Sequence, residues 1–192
     1  RSQSDSYFIN NGYLLRTHMT ANECEFLRAG QRSFLVAGDV YRRDQIDSTH
    51  FPVFHQLEGV KVFTSEELTM KTIDSESIEV TDERGSTSNT ATASSFSAHG
   101  IDYAYESQHG QNAQSLRLIA DDLYAQLTGL MRFLFGPDVP IRWQTCHFPF
   151  TCPSFEVEVF YRGRWVEVCG TGLLQRSILR DCGIEREAWA FG

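Results

Sequence analysis

Residues 38–59 bring two adjacent arginines, several acids, a histidine and a Gln-x-Glu pair into one short segment. Arg42 and Arg43 stand directly before Asp44, and Gln56 and Glu58 follow after a polar stretch. Guanidinium groups pair with phosphate and carboxylate oxygens, and a carboxylate beside an amide can bind an ammonium group. The segment therefore predicts a site that holds an anionic nucleotide and an ammonium group together.

The same segment reads as an extended strand, a polar loop and a return strand. Side chains alternate between the two faces of a strand, so Phe54, Gln56 and Glu58 share one face and His55 and Leu57 the other. An aromatic ring, an amide and a carboxylate in one row predict the floor of a polar cleft. His55, on the opposite face, is predicted to lie in the core or to support the site from behind.

A helix is predicted to follow Thr20-Ala21-Asn22-Glu23, which fits a capping box with a hydroxyl at the cap and a carboxylate three residues later. Gly30 is predicted to end this helix. Two roles stay open for Thr20 and Glu23, namely helix capping and ligand contact. They are compatible, because the free N–H groups of a helix N-terminus also suit a carboxylate or a phosphate.

The remaining elements are predicted from hydrophobic periodicity. Apolar residues spaced by three and four predict one long core helix that ends at Gly136-Pro137; they are Leu116, Ile119, Leu123, Leu127, Leu130 and Leu134. Residues 155–159 and 165–168 alternate with period two around an Arg162-Gly163 turn. Strands joined mostly by hairpins predict an α+β fold, a mainly antiparallel sheet flanked by helices.

Composition limits the class of protein. The chain has 192 residues, 41% of them hydrophobic, and no apolar run approaches the roughly 20 residues that span a bilayer. Its formal net charge of −8 argues against a surface built for nucleic-acid backbones. The five cysteines, an odd number, favour a reducing compartment over a disulfide scaffold. Residues from about 74 to 114 include a Ser/Thr-rich run and are predicted to form a low-complexity surface insertion.

The hairpin resembles the second signature motif of the class II aminoacyl-tRNA synthetases, on the residues Tyr41, Arg42, Asp44, His50 and Phe54. The longer sequence of residues 38–60 resembles that of the phenylalanine-specific synthetases (phenylalanine–tRNA ligases), in particular the single-chain organellar, mitochondrial type. Further hallmarks of that family lie in order along the chain, at residues 14–18, 148–150, 167 and 189–192. The resemblance covers nearly the whole chain apart from the Ser/Thr-rich insertion.

The resemblance implies a class II catalytic core that attaches phenylalanine to its tRNA through a phenylalanyl-adenylate, with ATP and Mg²⁺. It implies that residues 1–192 are a partial catalytic domain, without the first motif, most of the third motif and the C-terminal anticodon-binding domain. The tRNA would then be bound mainly by parts outside this chain, which is not expected to be active alone. No membrane partner is expected, and the implied location is the mitochondrial matrix, with a plastid or dual organellar address as the alternative.

For ATP, the resemblance implies that Arg42 bridges the attacking carboxylate and the α-phosphate and is the catalytic residue. Asp44 would accept from the adenine amino group, Phe54 would stack beneath the ring and His50 would reach the outer phosphates. Glu167 would help to bind ATP through Mg²⁺, which prefers oxygen ligands. The alternatives are a surface ion pair of Arg42 with a neighbouring acid and a paired strand position for Glu167.

For the amino acid, the resemblance implies that Gln56 and Glu58 hold the ammonium group while His18 and Thr20 assist. Phe148 and Phe150 would meet the substrate ring edge-to-face, although ordinary core packing is the alternative for both. The pocket would be completed by Ala190, as its far wall, and by Phe191.

Two departures from the family pattern stand out, because Asp44 replaces the more common glutamate and Thr20 replaces a frequent serine. Two rival functions stay open. One is a binding or regulatory relative that kept the fold but lost ligase activity. The other is a class II enzyme that adenylates a different amino acid.

Overall fold

The computed structural model describes residues 5–43, 46, 47, 50–76 and 113–192. Asp44 and residues 77–112 of the predicted insertion therefore lie outside the described residues. No helix within the described ranges is long and apolar enough to cross a membrane.

A six-stranded antiparallel sheet forms the centre of the fold, in the order β3-β4-β8-β7-β6-β5. Its strands are β3 (Ser33–Tyr41), β4 (Val53–Val62), β5 (Ile141–Cys146), β6 (Thr151–Tyr161), β7 (Arg164–Leu174) and β8 (Ala188–Phe191). A separate two-stranded sheet precedes it, with β1 (Phe8–Asn10) and β2 (Tyr13–Leu14). The helices are α1 (Glu23–Arg28), α2 (Ser65–Glu76), α3 (Ala113–Phe135) and α4 (Arg176–Asp181). The predicted α+β class is confirmed.

The predicted hairpin is confirmed as the β3–β4 pair, whose register runs from Ser33 opposite Lys61 to Tyr41 opposite Val53. Along β4, Phe54 and Gln56 are half-buried and Glu58 is buried, whereas Val53, His55 and Leu57 are exposed. This alternation is the one expected from the sequence. The hairpin therefore presents its polar face to the interior and an apolar face to the outside.

The core lies between the sheet and α3, and the predicted stripe on that helix is correct over most of its length. Leu116, Ile119, Leu123 and Leu127 are all buried. Toward the end of the helix, Met131 is buried and Leu134 is 56% exposed. The steps of this stripe average 3.6 residues, one helical turn, so Leu134 lies on the same side of α3 as Leu116, but in the last turn it faces an open cavity instead of the sheet. Leu134 was therefore wrongly predicted as core.

A buried polar contact joins three elements behind the sheet. The Asp122 carboxylate on α3 accepts from Lys61 Nζ of β4 at 3.2 Å and from Trp189 Nε1 of β8 at 2.9 Å. Asp122 is 7% exposed and Trp189 is 8% exposed. A buried carboxylate with two donors holds its partners firmly, because either donor left unpaired would cost free energy. The contact thus fixes β8, the strand that carries Ala190 and Phe191.

Candidate active site

A cavity of about 290 Å³ opens on the polar face of β4. Ten of the side chains predicted for a site line it, namely His18, Thr20, Arg42, Gln56, Glu58, Phe148, Phe150, Glu167, Ala190 and Phe191. They come from the 3₁₀ turn before α1, from β4, β7 and β8, and from the segments around Tyr41 and Phe150. The structure thus brings together residues that are far apart in the sequence.

One end of the cavity is acidic and centres on Glu58, which is 1% exposed. The Thr20 hydroxyl donates to Glu58 Oε2 at 2.6 Å, and His18 Nδ1 lies 2.9 Å from Glu58 Oε1. Burial by itself raises the pKa of Glu58, but close contacts to His18, Thr20 and Glu23 outweigh it and lower that pKa below its ordinary value. Glu58 therefore carries a buried negative charge, which suits an ammonium group.

Gln56 and His18 are held in place by the backbone of the 3₁₀ turn Met19–Asn22. The Gln56 side-chain oxygen accepts from the Met19 N–H at 3.2 Å, and His18 Nδ1 accepts from the Thr20 N–H at 3.3 Å. His18 Nδ1 also lies 2.7 Å from the Thr20 hydroxyl oxygen, and its contact with Glu58 Oε1 lacks the geometry of a hydrogen bond. Glu58 Oε1 is buried without a hydrogen-bond donor among the described residues.

The capping box predicted at Thr20 and Glu23 is wrong. The side chain of His18 caps the 3₁₀ turn, and Asn22, the residue before α1, makes no side-chain capping bond. The extra 3₁₀ turn delays the start of the α-helix to Glu23, so that the Thr20 hydroxyl turns inward to Glu58. The same Thr-x-x-Glu spacing does form a reciprocal pair at Thr64 and Glu67, at the start of α2.

Glu23, for which the sequence left both helix capping and ligand contact open, is a residue of the site. It lines the cavity and is 4% exposed. Burial, together with the hydrogen bond and the charge of Glu58, raises the pKa of Glu23 to about 9. The capping pattern alone does not decide between the two roles, because a glutamate in that spacing has an ordinary structural use.

The other end of the cavity is aromatic. Phe148 and Phe150 lie parallel, with ring centroids 5.7 Å apart and an interplanar angle of 4°, and the ring of His18 lies 6.0 Å from that of Phe150. The Phe148 N–H donates to Ser154 Oγ at 3.2 Å, which fixes the turn before β6. Both phenylalanines are thus part of the cavity wall, and the alternative of ordinary core packing is not what the structure has.

Gly170 on β7 provides the space behind the Phe148 ring, since a Cβ atom there would lie 2.6 Å from Phe148 Cζ. Gly170→Ala is therefore expected to tilt the ring out of its stack and to weaken the binding of an aromatic ligand in the cavity about threefold to tenfold. A fluorescence or calorimetric titration measures this. Gly129→Ala is the matched control, because that position on α3 has no atom within 4 Å of the new Cβ; an equal effect there would contradict the assignment.

Arg42 connects the cavity with the nucleotide side of the hairpin. Its Nε donates to the Thr17 carbonyl oxygen at 3.1 Å, and its guanidinium carbon lies 4.7 Å from the centroid of the Phe54 ring. A guanidinium over an aromatic face is a favourable contact. The two contacts hold Arg42 so that it lines the cavity and covers one face of Phe54.

The family model for the tRNA synthetases class II core domain (F) matches residues 1–88 and 114–192. The chain belongs to this family. The class II core therefore has the fold that the hairpin motif implied.

Several curated proteins are similar to this class II core along its whole length. It is 43% identical to "Phenylalanine--tRNA ligase, mitochondrial" of Rattus norvegicus and 40% identical to the protein of the same name from Dictyostelium discoideum. It is 39% identical to "Phenylalanine--tRNA ligase, chloroplastic/mitochondrial" of Arabidopsis thaliana. All 192 residues are covered in each case, but only 37%, 38% and 35% of the respective relatives. The chain thus spans little more than a third of the length of these relatives.

Two histidines of the synthetase core, His50 and His55, do not line the cavity that contains Glu58. His50 Nδ1 lies 3.0 Å from Asp47 Oδ1, and His50 does not line the cavity. His55 Nδ1 lies 2.6 Å from Asp39 Oδ1 with its side chain 86% exposed. The prediction that His55 lies in the core is wrong, because the outer face of the hairpin is open to solvent; a supporting role stays a prediction, since His55 lines a cavity together with Phe54. Contact of His50 with phosphates stays a prediction.

Phe54 lines a second cavity of about 440 Å³, which shares Gln56, Glu167 and Phe191 with the first. Leu130 and Met131 of α3 form another side of it. An aromatic ring beside a space of this size suits a planar base.

Glu167 on β7 lines both cavities of the synthetase core and stands opposite Glu158 of β6. Burial raises the pKa of Glu167, and the nearby charges of Glu156 and Glu158 raise it further. Because Glu158 is already paired with Arg142, Glu167 is the acid of this pair that can offer oxygen ligands to a divalent cation such as Mg²⁺. Within the described ranges, however, no three acidic, histidine or cysteine side chains converge on one metal position. An ion at Glu167 would need further oxygen ligands from phosphates.

Proposed function

We propose that the protein containing this chain attaches phenylalanine to its tRNA through a phenylalanyl-adenylate, with ATP as the second substrate. The observation that carries this proposal is the polarity of the first cavity. A buried carboxylate lies at one end and two stacked phenylalanine rings form the wall at the other. An amino acid with an apolar aromatic side chain matches both ends. The names of the relatives support the same substrate.

In the amino-acid site, Glu58 accepts from the ammonium group of phenylalanine, with Gln56, His18 and Thr20 around it. Phe148 and Phe150 contact the ring, and Ala190 and Phe191 on β8 complete the wall. These side chains hold the substrate so that its carboxylate points toward Arg42. Positioning of this kind lowers the barrier of a reaction between two bound molecules.

In the nucleotide site, Arg42 bridges the attacking carboxylate and the α-phosphate, stabilising charge that develops during the transfer. Phe54 stacks on adenine, Asp44 accepts from its amino group and His50 reaches the outer phosphates. Glu167 would hold Mg²⁺ through its carboxylate oxygens. When bound, Mg²⁺ supplies positive charge to the phosphates; the chain supplies the position and the in-line geometry.

The aromatic wall sets the expected selectivity. An apolar pocket rejects a substrate that merely adds a hydroxyl only weakly, on the order of a hundredfold. We therefore expect some activation of tyrosine.

We further propose that the protein works in an organelle on its phenylalanine tRNA. The relatives named above are mitochondrial or chloroplastic/mitochondrial, and the matrix is the expected compartment. The tRNA is bound mainly by parts outside this chain.

Phenylalanine-dependent exchange of pyrophosphate into ATP, measured on the full-length protein, tests the proposal directly. Exchange is expected with phenylalanine and, about a hundredfold weaker, with tyrosine. Exchange with an unrelated amino acid and none with phenylalanine would assign the protein to another adenylating enzyme. No exchange with any amino acid, from a folded protein that still binds one, would identify a non-catalytic relative.

A further inference from the structure

Glu23 and Glu58 form a buried acidic pair at the ammonium end of the cavity. Both line it, and they are 4% and 1% exposed. Glu23 is the first residue of α1 and Glu58 belongs to β4, so the fold brings two buried carboxyl groups to the same cavity across 35 positions of sequence. Two such groups can share a hydrogen bond only if one of them holds a proton, because a carboxylate is an acceptor alone.

The surroundings of the pair indicate which group holds the proton. Glu58 Oε2 receives the Thr20 hydroxyl, and Oε1 is buried without a donor within the described ranges. His18 Nδ1 lies 2.9 Å from Oε1 but accepts from the Thr20 N–H. A protonated Glu23 is the neighbour that can supply the missing hydrogen. This agrees with the directions of the two pKa shifts, upward for Glu23 and downward for Glu58.

Other charged groups face the same space from each element around it. Arg42 lines the cavity after β3, His18 before the 3₁₀ turn and Glu167 on β7, while β8 contributes only Ala190 and Phe191. Arg42 is directed at the Thr17 carbonyl oxygen and the Phe54 ring. None of these groups is hydrogen-bonded to Glu23, whose partner is Glu58.

We propose that Glu23 is a second acid of the amino-acid site, that it shares a proton with Glu58 while the site is empty, and that it releases this proton when an ammonium group binds. The proton balance is simple. The neutral Glu23 carboxyl and the ammonium cation give a Glu23 carboxylate beside the bound cation, and one proton passes to solvent. The inference rests on the proposed function, because it requires an amino acid as ligand.

The proposal predicts that the affinity for phenylalanine depends on pH. The empty site keeps Glu23 protonated up to its raised pKa, whereas the bound cation favours the carboxylate. Binding therefore strengthens as pH rises toward about 9, by up to tenfold per pH unit. Above the raised pKa no proton remains to be released from Glu23, and loss of the ligand's own ammonium proton then weakens binding.

Calorimetry of phenylalanine binding to the full-length protein, in two buffers with different ionisation enthalpies, counts the released protons. At about pH 7 Glu23 still holds its proton in the empty site, and an α-amino group is mostly in its ammonium form, so the ligand itself exchanges few protons. The wild type is expected to release about one proton. Glu23→Gln keeps a hydrogen donor for Glu58 but has no proton to lose, and its count is expected to fall close to zero. Glu25→Gln changes an exposed acid of the same helix and should match the wild type.

A wild-type count near zero would overturn the inference, whether or not the Glu23→Gln protein folds. An unchanged count in Glu23→Gln would do the same, because the proton would come from another group. Both results would leave the proposed function intact, since phenylalanine still binds. A folded wild type that binds no phenylalanine would overturn the proposed function, and this inference with it.

Discussion

Glu58→Gln in the full-length protein is expected to raise the phenylalanine concentration for half-maximal pyrophosphate exchange by about 30-fold or more. Glu58 is buried and carries a negative charge. Removing one partner of a buried, hydrogen-bonded charge pair costs about 2–5 kcal/mol, and 1.4 kcal/mol is a factor of ten. Glutamine keeps the volume and one acceptor oxygen, so the change removes the charge with little change in packing.

Glu23 is expected to replace only part of the lost charge. Burial is the largest cause of its raised pKa, and that cause remains after Glu58 is substituted, so the bound ammonium group must still displace the Glu23 proton near neutral pH. The double variant Glu23→Gln, Glu58→Gln is therefore expected to bind phenylalanine more weakly than Glu58→Gln. Glu185→Gln, an exposed position, is the matched control. A half-maximal concentration in Glu58→Gln within threefold of the wild-type value would exclude Glu58 as the ammonium partner.

Arg42→Ala should lower the rate of phenylalanine-dependent exchange by about 10- to 150-fold. A hydrogen bond to a charged group contributes about 1.5–3 kcal/mol, and Arg42 is the arginine that lines the cavity. The loss should fall mainly on the maximal rate, because the charge on the phosphate develops during the reaction. Exchange kinetics at saturating ATP and phenylalanine separate the rate from the binding terms.

Arg43→Ala is the control for Arg42→Ala, since the neighbouring arginine is exposed and outside the cavity. Arg42→Lys adds a sharper comparison, because lysine keeps the charge but loses the planar fork that spans two oxygens. Lysine is expected to recover only part of the rate. Wild-type exchange in Arg42→Ala would remove Arg42 from its proposed role.

Much of the site was accessible from the sequence because it depends on local rules. Alternation along β4 was enough to place Phe54, Gln56 and Glu58 on one face, and the structure has them there. The antiparallel sheet followed equally from period-two strands and short turns. At Arg162-Gly163 both residues have positive φ, as a two-residue hairpin turn requires.

The parts that were missed depend on contacts between distant residues. For Thr20 the sequence left a helix cap and a ligand contact open, and its hydroxyl donates to Glu58, 38 positions away. The same two roles stayed open for Glu23, because the spacing rule cannot tell a solvent-facing carboxylate from one that the 3₁₀ turn rotates inward. The true pair at Thr64 and Glu67 obeys the rule. A local motif therefore predicts an available hydrogen bond, and tertiary packing decides whether it forms.

The contact between Asp122, Lys61 and Trp189 supports the proposed substrate pocket from the far side of the sheet. Trp189 immediately precedes Ala190, which lines the cavity, and is tied to α3 through Asp122. The width of the slot for the aromatic ring is therefore set in part by a carboxylate that never meets the substrate. A substitution at Asp122 on α3 could therefore change which amino acid the proposed pocket selects, although Asp122 does not line that pocket.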